Sequence, residues 1–248
     1  MASISLKNVC LNYPVYGKKN INSFITNQIS VGGTIVEKNK FYTIEALKNL
    51  SIDFRDGDKV GLIGHNGAGK STLLKLAAGI YPISSGSMSI SGKVQSLFDP
   101  RAGLEPEEDG IKNIKRLTLL LNQNFNLIKK KIPEIIQNSE LGDYINFPVK
   151  TYSDGMKLRL CFSVITSWKS DIFLVDEFLS VGDEKFHIYA KKKLNNIIEK
   201  ASIVLLASHN LAYIEALTNR LVILNSGKVE YDGKTKNGLD YYKSLRKK

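Results

Sequence analysis

Among the 248 residues there are two cysteines, Cys10 and Cys161, and three histidines. The cysteines stand far apart, without a CxxC pair or a histidine-rich neighbourhood. That excludes a disulfide framework and a zinc site, and fits reduced thiols packed among apolar neighbours. No apolar run approaches the roughly 20 residues that a membrane-spanning helix needs. The opening MASISLKNVCLNY alternates apolar and polar residues as a strand does, without the basic leader and apolar core of a secretory signal. A cytosolic chain is therefore expected, with any membrane role exercised through a partner. Acidic residues are also scarce: 24 against 35 Lys and Arg leave a net charge of +11. That excess suits nucleic acid, an anionic membrane surface or a phosphorylated substrate, but equally a solvated lysine-rich surface. No internal repeat is visible.

What is present is an ordinary globular balance, 43% hydrophobic and 24% charged, in a chain long enough for one large α/β domain. ISLKNVCL reads as a first strand. A polar, glycine-containing stretch at about 17–40 follows, longer than ordinary connections, and reads either as a surface insertion or as a docking element. TIEALKNLSIDF and KVGLIG read as strands joined by the turn RDGD. STLLKLAAGI has helical spacing. SGSMSISGKVQSLF predicts a hairpin closed at Ser91–Gly92. From Ile111 to Ile165 the pattern is helical, with breaks predicted at Pro133, Gly142 and Pro148. Then strands alternate with helices: DIFLV, a helix from about Glu184 to Lys200, SIVLLAS, the helix NLAYIEALTN, and the strand pair in RLVILNSGKVEYDG. TKNGLDYYKSLRKK predicts a basic amphipathic helix. Short, continuously apolar strands suit a parallel sheet covered on both faces.

Within GLIGHNGAGKST, the segment Gly64–Ser71 fits GxxxxGK[ST], with a strand before it and a helix after it. Glycines let the backbone curl with its N–H groups inward, and the helix N-terminus adds positive potential, so the segment suits a phosphate chain. Gly64, His65, Asn66, Gly67, Ala68, Gly69, Lys70, Ser71 and Thr72 form the candidate ATP cradle. Lys70 reaches toward the β- and γ-phosphates and the Ser71 hydroxyl toward Mg²⁺. Asp176 and Glu177 end the apolar strand IFLVDE. In a P-loop nucleotidase an acid there holds Mg²⁺ or its waters, and the adjacent glutamate is free to polarise the attacking water. His209 follows the buried strand in LLASHN and is a candidate γ-phosphate contact. His65 sits within the cradle, where its backbone matters more than its ring, and His187 is placed on a helix surface.

The segment TYSDGMKLRLCFSVI opens an amphipathic helix with Ser153, Asp154 and Gly155, an N-cap with open backbone donors. It resembles the signature motif of ABC-type ATPases. SVGD, from Ser180 to Asp183, is similar to their D-loop. In NVCLNYP, Tyr13 stands where an aromatic ring stacks on adenine; a tyrosine packing on the core is the other reading, and Tyr16 a substitute. The resemblance extends over nearly the whole chain. YS-x-GM followed by RL, GKVQSLFDPRAGLEPEEDGIKNI, VDEFLSVGDEKF and KASIVLLASHNLAYIEALTNRLVILNSGKVEYDG look like the branch that exports bacterial O-antigen, teichoic acid and capsule. Asp99 stands where most ABC ATPases carry the Q-loop glutamine; Gln95 lies inside the apparent strand, so Asp99 is preferred. Asp154 replaces the first glycine of the common LSGGQ signature, and an acid beside a γ-phosphate helps only if it points away.

The resemblance implies a P-loop NTPase core with a mostly parallel sheet, an N-terminal antiparallel β part and an inserted helical subdomain at about 105–166. It implies one ATP-binding domain over 1–248, with no room for a C-terminal carbohydrate-binding domain. It also implies ATP and Mg²⁺, with Glu177 and His209 catalytic and Ser71 and Asp176 at the metal. Two copies would pair head to tail, Ser153, Asp154 and Gly155 facing the partner's ATP and Asp183 in the D-loop. The partners implied are a polytopic permease and a lipid-linked glycan, at the cytoplasmic face of the bacterial inner membrane. A non-transport ABC ATPase acting on nucleic acid or ribosomes suits the charge. It is disfavoured, because the lysine runs at 129–131 and 191–193 lack interleaved aromatics.

Overall fold

The computed structural model describes residues 1–15, 34–38, 41–99, 101–176 and 184–245. The chain divides into two compact units. The first comprises Met1–Val94, Leu174–Asp176 and Ser202–Lys248; the second comprises Gln95–Phe173 and Glu177–Ala201. Ten strands are described, and they form a four-stranded sheet and a six-stranded sheet.

The four-stranded sheet opens the first unit. β1 (Ser3–Val15) pairs antiparallel with β3 (Phe41–Arg55) on one side and with β5 (Ser85–Ser91) on the other. β2 (Thr34–Lys38), inside the stretch read as an insertion, pairs with β3, giving the order β2-β3-β1-β5; the remainder of that stretch lies outside the described residues. Ile4 and Leu6 face the core, and so do Val9 and Leu11. A strict two-residue period would send Val9 to solvent. A bulge between Leu6 and Val9 restores it to the core face. Asn8 takes a left-handed φ of 51° there, its amide donating to Ser51 Oγ at 2.9 Å. Asparagine tolerates that backbone better than most residues.

β4 (Lys59–Ile63) lies parallel to both β8 (Ile203–Ala207) and β9 (Arg220–Asn225). β9 turns back antiparallel into β10 (Lys228–Lys234). With β7 (Ile172–Asp176) and β6 (Val94–Leu97), the order is β10-β9-β4-β8-β7-β6. Val60 to Ile63 and Ile203 to Ala207 are buried without alternation, as strands covered on both faces are. α1 (Lys70–Ala77) follows β4, α6 (Leu211–Leu217) follows β8, and α7 (Thr235–Leu245) follows β10.

The hairpin predicted at Ser91–Gly92 does not form. β5 joins the four-stranded sheet and β6 the six-stranded one, with Gly92 at φ 111° where the chain changes sheet. Two short strands about a glycine look alike whether they pair or part. What decides is the distant partner, and β1 takes β5 residue by residue from Ser3↔Ser91 to Lys7↔Ser87.

The second unit holds α2 (Gly110–Leu120), α3 (Phe125–Ser139), α4 (Asp154–Thr166) and α5 (Glu184–Lys200). Ile114, Leu117, Ile135, Leu141, Tyr152, Leu160 and Val164 share one apolar core. Asp109 caps α2 by accepting from the Lys112 amide at 2.7 Å, and Asn113, fully buried, satisfies the backbone of residues 105–109 with its amide. Pro133 does not break α3, which runs through it. The ring removes one N–H, but Pro133 and Lys129, whose carbonyl loses that donor, are both exposed, so water replaces it. The helix ends later, where Glu140 adopts a left-handed φ of 54°. Phe162 meets Phe186 edge-on at 5.6 Å, and the Arg159 guanidinium lies over Phe186 at 5.0 Å. His187 is half-buried on α5 rather than on an open surface. Cys161 is fully buried, and burial pushes its thiol up to about 12; Cys10 is also a free thiol.

At the edge of β9, Arg220 donates to both Asp232 carboxylate oxygens (2.7 and 2.6 Å) and to Asp58 Oδ2 (2.8 Å), with its guanidinium over Phe54. Its side chain is 23% exposed, so these charge-assisted bonds are partly shielded from water. Arg220→Met keeps the stem and leaves two carboxylates without their cation. It is expected to lower unfolding stability by about 2 kcal/mol. Urea denaturation measures this, and an unchanged midpoint would show the network to be ornamental.

Candidate functional site

The loop from Gly64 to Gly69 leaves β4 and enters α1 directly. Gly64, Gly67 and Gly69 have φ of 154°, 79° and 107°. A Cβ on Gly64 would lie 2.3 Å from the Leu224 carbonyl oxygen, so only glycine lets the loop leave the sheet here. No side chain caps α1 at Gly69. The first amides of a helix have no intrahelical acceptor, and the helix dipole there favours an anion. Lys70 is buried, and its Nζ donates to the Gly64 and His65 carbonyls at 3.0 and 3.2 Å. The ammonium is thereby folded over the loop. Ser71 is exposed on the first turn and Thr72 half-buried behind it.

Tyr13, on β1, donates its hydroxyl to Thr72 Oγ1 at 3.3 Å. It lines a cleft of about 210 Å³ with Ile44, Ala46, Gly67, Gly69, Lys70, Ser71 and Thr72. Burial raises its phenol above the usual value against the opposing pull of the Thr72 bond. Tyr16 lies outside the described residues. On the other side of the loop a cleft of about 800 Å³ brings His209 together with Gly64, His65 and Asn66. His209 is exposed just beyond β8, whose C-terminal end is in register with that of β4. Asn210 fixes the start of α6 by accepting from the Tyr213 amide at 3.1 Å. Asp176 is half-buried at the end of β7, next to β8 in the sheet. Ser71 and Asp176 offer hard oxygen donors. These suit Mg²⁺, which keeps water and takes phosphate oxygens rather than filling an all-protein cage. Among the described residues no three His, Cys, Asp or Glu converge as such a cage.

In the second unit Ser153 is the N-cap of α4, its Oγ accepting from the Met156 amide at 3.2 Å. Tyr152 anchors the turn: it is buried, donates to the Tyr144 carbonyl at 2.6 Å, and burial pushes its phenol up to about 12. Gly155 is open, a Cβ meeting only Ser153 Oγ at 3.9 Å. The Asp154 side chain is exposed, with Lys157 Nζ at 4.0 Å. Asp99 is exposed at the exit of β6, accepting from the Arg101 amide at 3.1 Å and facing its guanidinium at 3.5 Å. Gln95 is buried in β6 and committed to the Ile165 carbonyl. Glu177 and Asp183 lie outside the described residues.

The sequence profile of the ABC transporter family matches residues 47–180. The O-antigen export system ATP-binding protein RfbE of Yersinia enterocolitica is 44% identical over 231 residues, 92% of this chain and 96% of that protein. The chain belongs to the ABC transporter family. The teichoic acids export ATP-binding protein TagH of Enterococcus faecalis is 37% identical over 230 residues; the chain spans about half of its length, 51%. A solved dimeric ATP-binding cassette, in a post-hydrolysis state with ADP and phosphate, superposes with a TM-score of 0.68. It is 20% identical over 94% of this chain and 98% of that one, a likeness of fold.

One part of this ABC cradle carries no motif. The turn between β9 and β10 leans on the phosphate loop. The Gly227 amide donates to the Ala68 carbonyl at 3.0 Å, and the Gly227 carbonyl accepts from the Lys48 amide at 2.9 Å. His65 adds a bridge from its ring, Nδ1 to the Asn66 carbonyl at 2.7 Å and Nε2 to Asn225 Oδ1 at 3.2 Å. Its ring therefore does more than the motif's open position suggests. The only hint in the sequence was the SG dipeptide of a turn, which names the turn and not what it touches. Gly227 has φ 81°, and a Cβ there would sit 2.6 Å from the Ala46 carbonyl oxygen. Gly227→Ala is expected to cost about 2 kcal/mol of stability and to weaken ATP binding in the variant that remains folded. Denaturation and calorimetric titration read the two effects separately.

Proposed function

We propose that this chain is the ATP-hydrolysing subunit of an exporter that moves a lipid-linked, O-antigen-like polysaccharide across the cytoplasmic membrane. The observation that carries this reading is 44% identity running through 96% of an O-antigen export ATP-binding protein. The translocation path belongs to a separate polytopic permease; no described helix of this chain is long and apolar enough to cross a membrane. The subunit sits peripherally at the cytoplasmic face. It works as one ATP-binding domain, with the helical segment at about 105–166 as its signature-bearing subdomain.

In this reading backbone amides of the 64–71 loop and the Lys70 ammonium hold the phosphates. Ser71 and Asp176 hold Mg²⁺, which when bound neutralises phosphate charge and fixes the geometry of in-line attack. Glu177 accepts a proton from the attacking water, and His209 steadies the γ-phosphate. Ser153 and Gly155 complete the site of a second copy and Asp183 belongs to the D-loop, so the working unit is a head-to-tail homodimer. Asp154, exposed and leaning toward Lys157, presents no buried charge to that site. Asp99 occupies the Q-loop position, exposed and facing the Arg101 guanidinium.

Glu177→Gln keeps size and hydrogen bonding but removes the proton acceptor. Turnover is expected to fall by about 100-fold or more, with ATP affinity retained and an ATP-dependent dimer accumulating. Light scattering with and without ATP reads the dimer, and phosphate release reads turnover. Undiminished turnover would remove Glu177 from the role of base. Stimulation of the native ATPase by DNA or RNA would instead point to a nucleic-acid partner.

A further inference from the structure

The end of α1 carries a second aromatic ring that no motif contains. After α1 the chain turns at Gly79, φ 72°, with the Gly79 amide donating to the Leu76 carbonyl and the Ile80 amide to the Lys75 carbonyl, both at 2.9 Å. This places Tyr81 against Tyr13: the rings are 5.5 Å apart and nearly perpendicular, at 80°. That is the edge-to-face arrangement aromatic quadrupoles favour. Lys75 Nζ lies 5.8 Å from the centre of the Tyr81 ring, within reach of a cation–π attraction.

The segment bearing Tyr81 is tied to the strand bearing Tyr13. The Ser84 amide donates to the Cys10 carbonyl at 2.8 Å, and Ser84 Oγ accepts from the Asn12 amide at 2.9 Å. Tyr13 is thus fixed from two directions, by its hydroxyl on Thr72 and by its ring on Tyr81. Thr72 and Lys75 are three residues apart and so share one face of α1, the face along which this contact runs. Tyr81 itself does not line the cleft beside the phosphate loop, whereas Tyr13 does.

We infer that Tyr81 is a positioning residue for adenine: its ring, backed by Lys75, holds the Tyr13 ring upright as a platform for the nucleotide base. The inference rests on the reading of Tyr13 as the base-stacking residue. A flat ring held before the base arrives loses less freedom on binding, so the contribution of Tyr81 is one of preorganisation. It bears on the base and not on the phosphates, which the loop and Lys70 receive.

The test is calorimetric titration of the full chain with Mg²⁺-ATP and, separately, with Mg²⁺-tripolyphosphate, which has no base. Tyr81→Ala is expected to weaken ATP by about threefold to tenfold, the range of one aromatic pair, and to leave tripolyphosphate within about twofold. Tyr81→Phe keeps the ring and is expected to restore ATP affinity. Tyr13→Ala is measured alongside and is expected to lose ATP affinity by about tenfold or more, as a base loses its stacking partner. If Tyr13→Ala weakens ATP and Tyr81→Ala does not, the positioning role of Tyr81 is overturned while the platform stands. If Tyr81→Ala weakens both ligands equally, Tyr81 supports the loop and not the base, which also overturns it. If Tyr13→Ala leaves ATP affinity unchanged, the platform reading falls and the inference with it.

Discussion

The phosphate cradle depends on Gly227, which satisfies two pieces of backbone at once. Its amide holds the Ala68 carbonyl of the loop, and its carbonyl takes the Lys48 amide of β3. Each bond is worth only about 1 kcal/mol net, but together they join three non-adjacent segments: β3, the 64–69 loop and the β9–β10 turn. The loop's Ala68 carbonyl is thus satisfied from outside the loop, by a turn far along the chain. The same approach explains two glycines. Gly64 is pressed on the Leu224 carbonyl and Gly69 lies 3.6 Å from the Gly227 Cα, measured from where its Cβ would be. A side chain at Gly64 would force the loop off the sheet, and one at Gly69 would crowd the Ala46 carbonyl oxygen at 3.1 Å in a backbone that L residues rarely adopt.

Lys70 follows the same logic from inside the loop. Its ammonium is buried and hydrogen-bonded to the carbonyls of Gly64 and His65. A buried cation without such acceptors would carry a large desolvation cost. Phosphate oxygens bind an ammonium more strongly than neutral carbonyls do, because both partners are charged. The loop therefore holds its shape through carbonyl contacts, so nucleotide binding need not build the cradle. The open, uncapped end of α1 belongs to the same arrangement: its amides have no side-chain acceptor to displace.

Local chemistry was legible wherever one segment decides its own conformation. KVGLIG followed by HNGAGK announces a strand, a glycine loop and a helix, and the fold contains all three in β4, the loop and α1. The helix read at about Glu184 to Lys200 is present over that span, because its apolar spacing needs no distant partner. The signature turn was equally open: Ser153 before an amphipathic run is an N-cap, and its Oγ accepts from the Met156 amide. Illegible were the choices made by distant partners. β5 and β6 part because β1 claims β5. Pro133 stays helical on an exposed stretch of the helix, which spacing alone does not reveal. Gly227 and Asn225 join the cradle across more than 150 residues of sequence, and no short motif records such a contact.

The same distinction separates the two aromatic residues near the nucleotide cleft. Tyr13 sits in a segment whose position before the cradle gives it a family role, so its residue type already suggests stacking. Tyr81 has no such context, since IYP after a helix reads as a turn. What distinguishes it is the edge-on contact at 5.5 Å, near which Ser84 fastens the connection to β1. Ser84 is exposed and its two bonds are ordinary ones. They add to the turn at Gly79 and to the pairing of Ser85 with Cys10 in holding that segment. The strand bearing Tyr13 and the turn bearing Tyr81 thus meet beside a serine that ties the same two segments together.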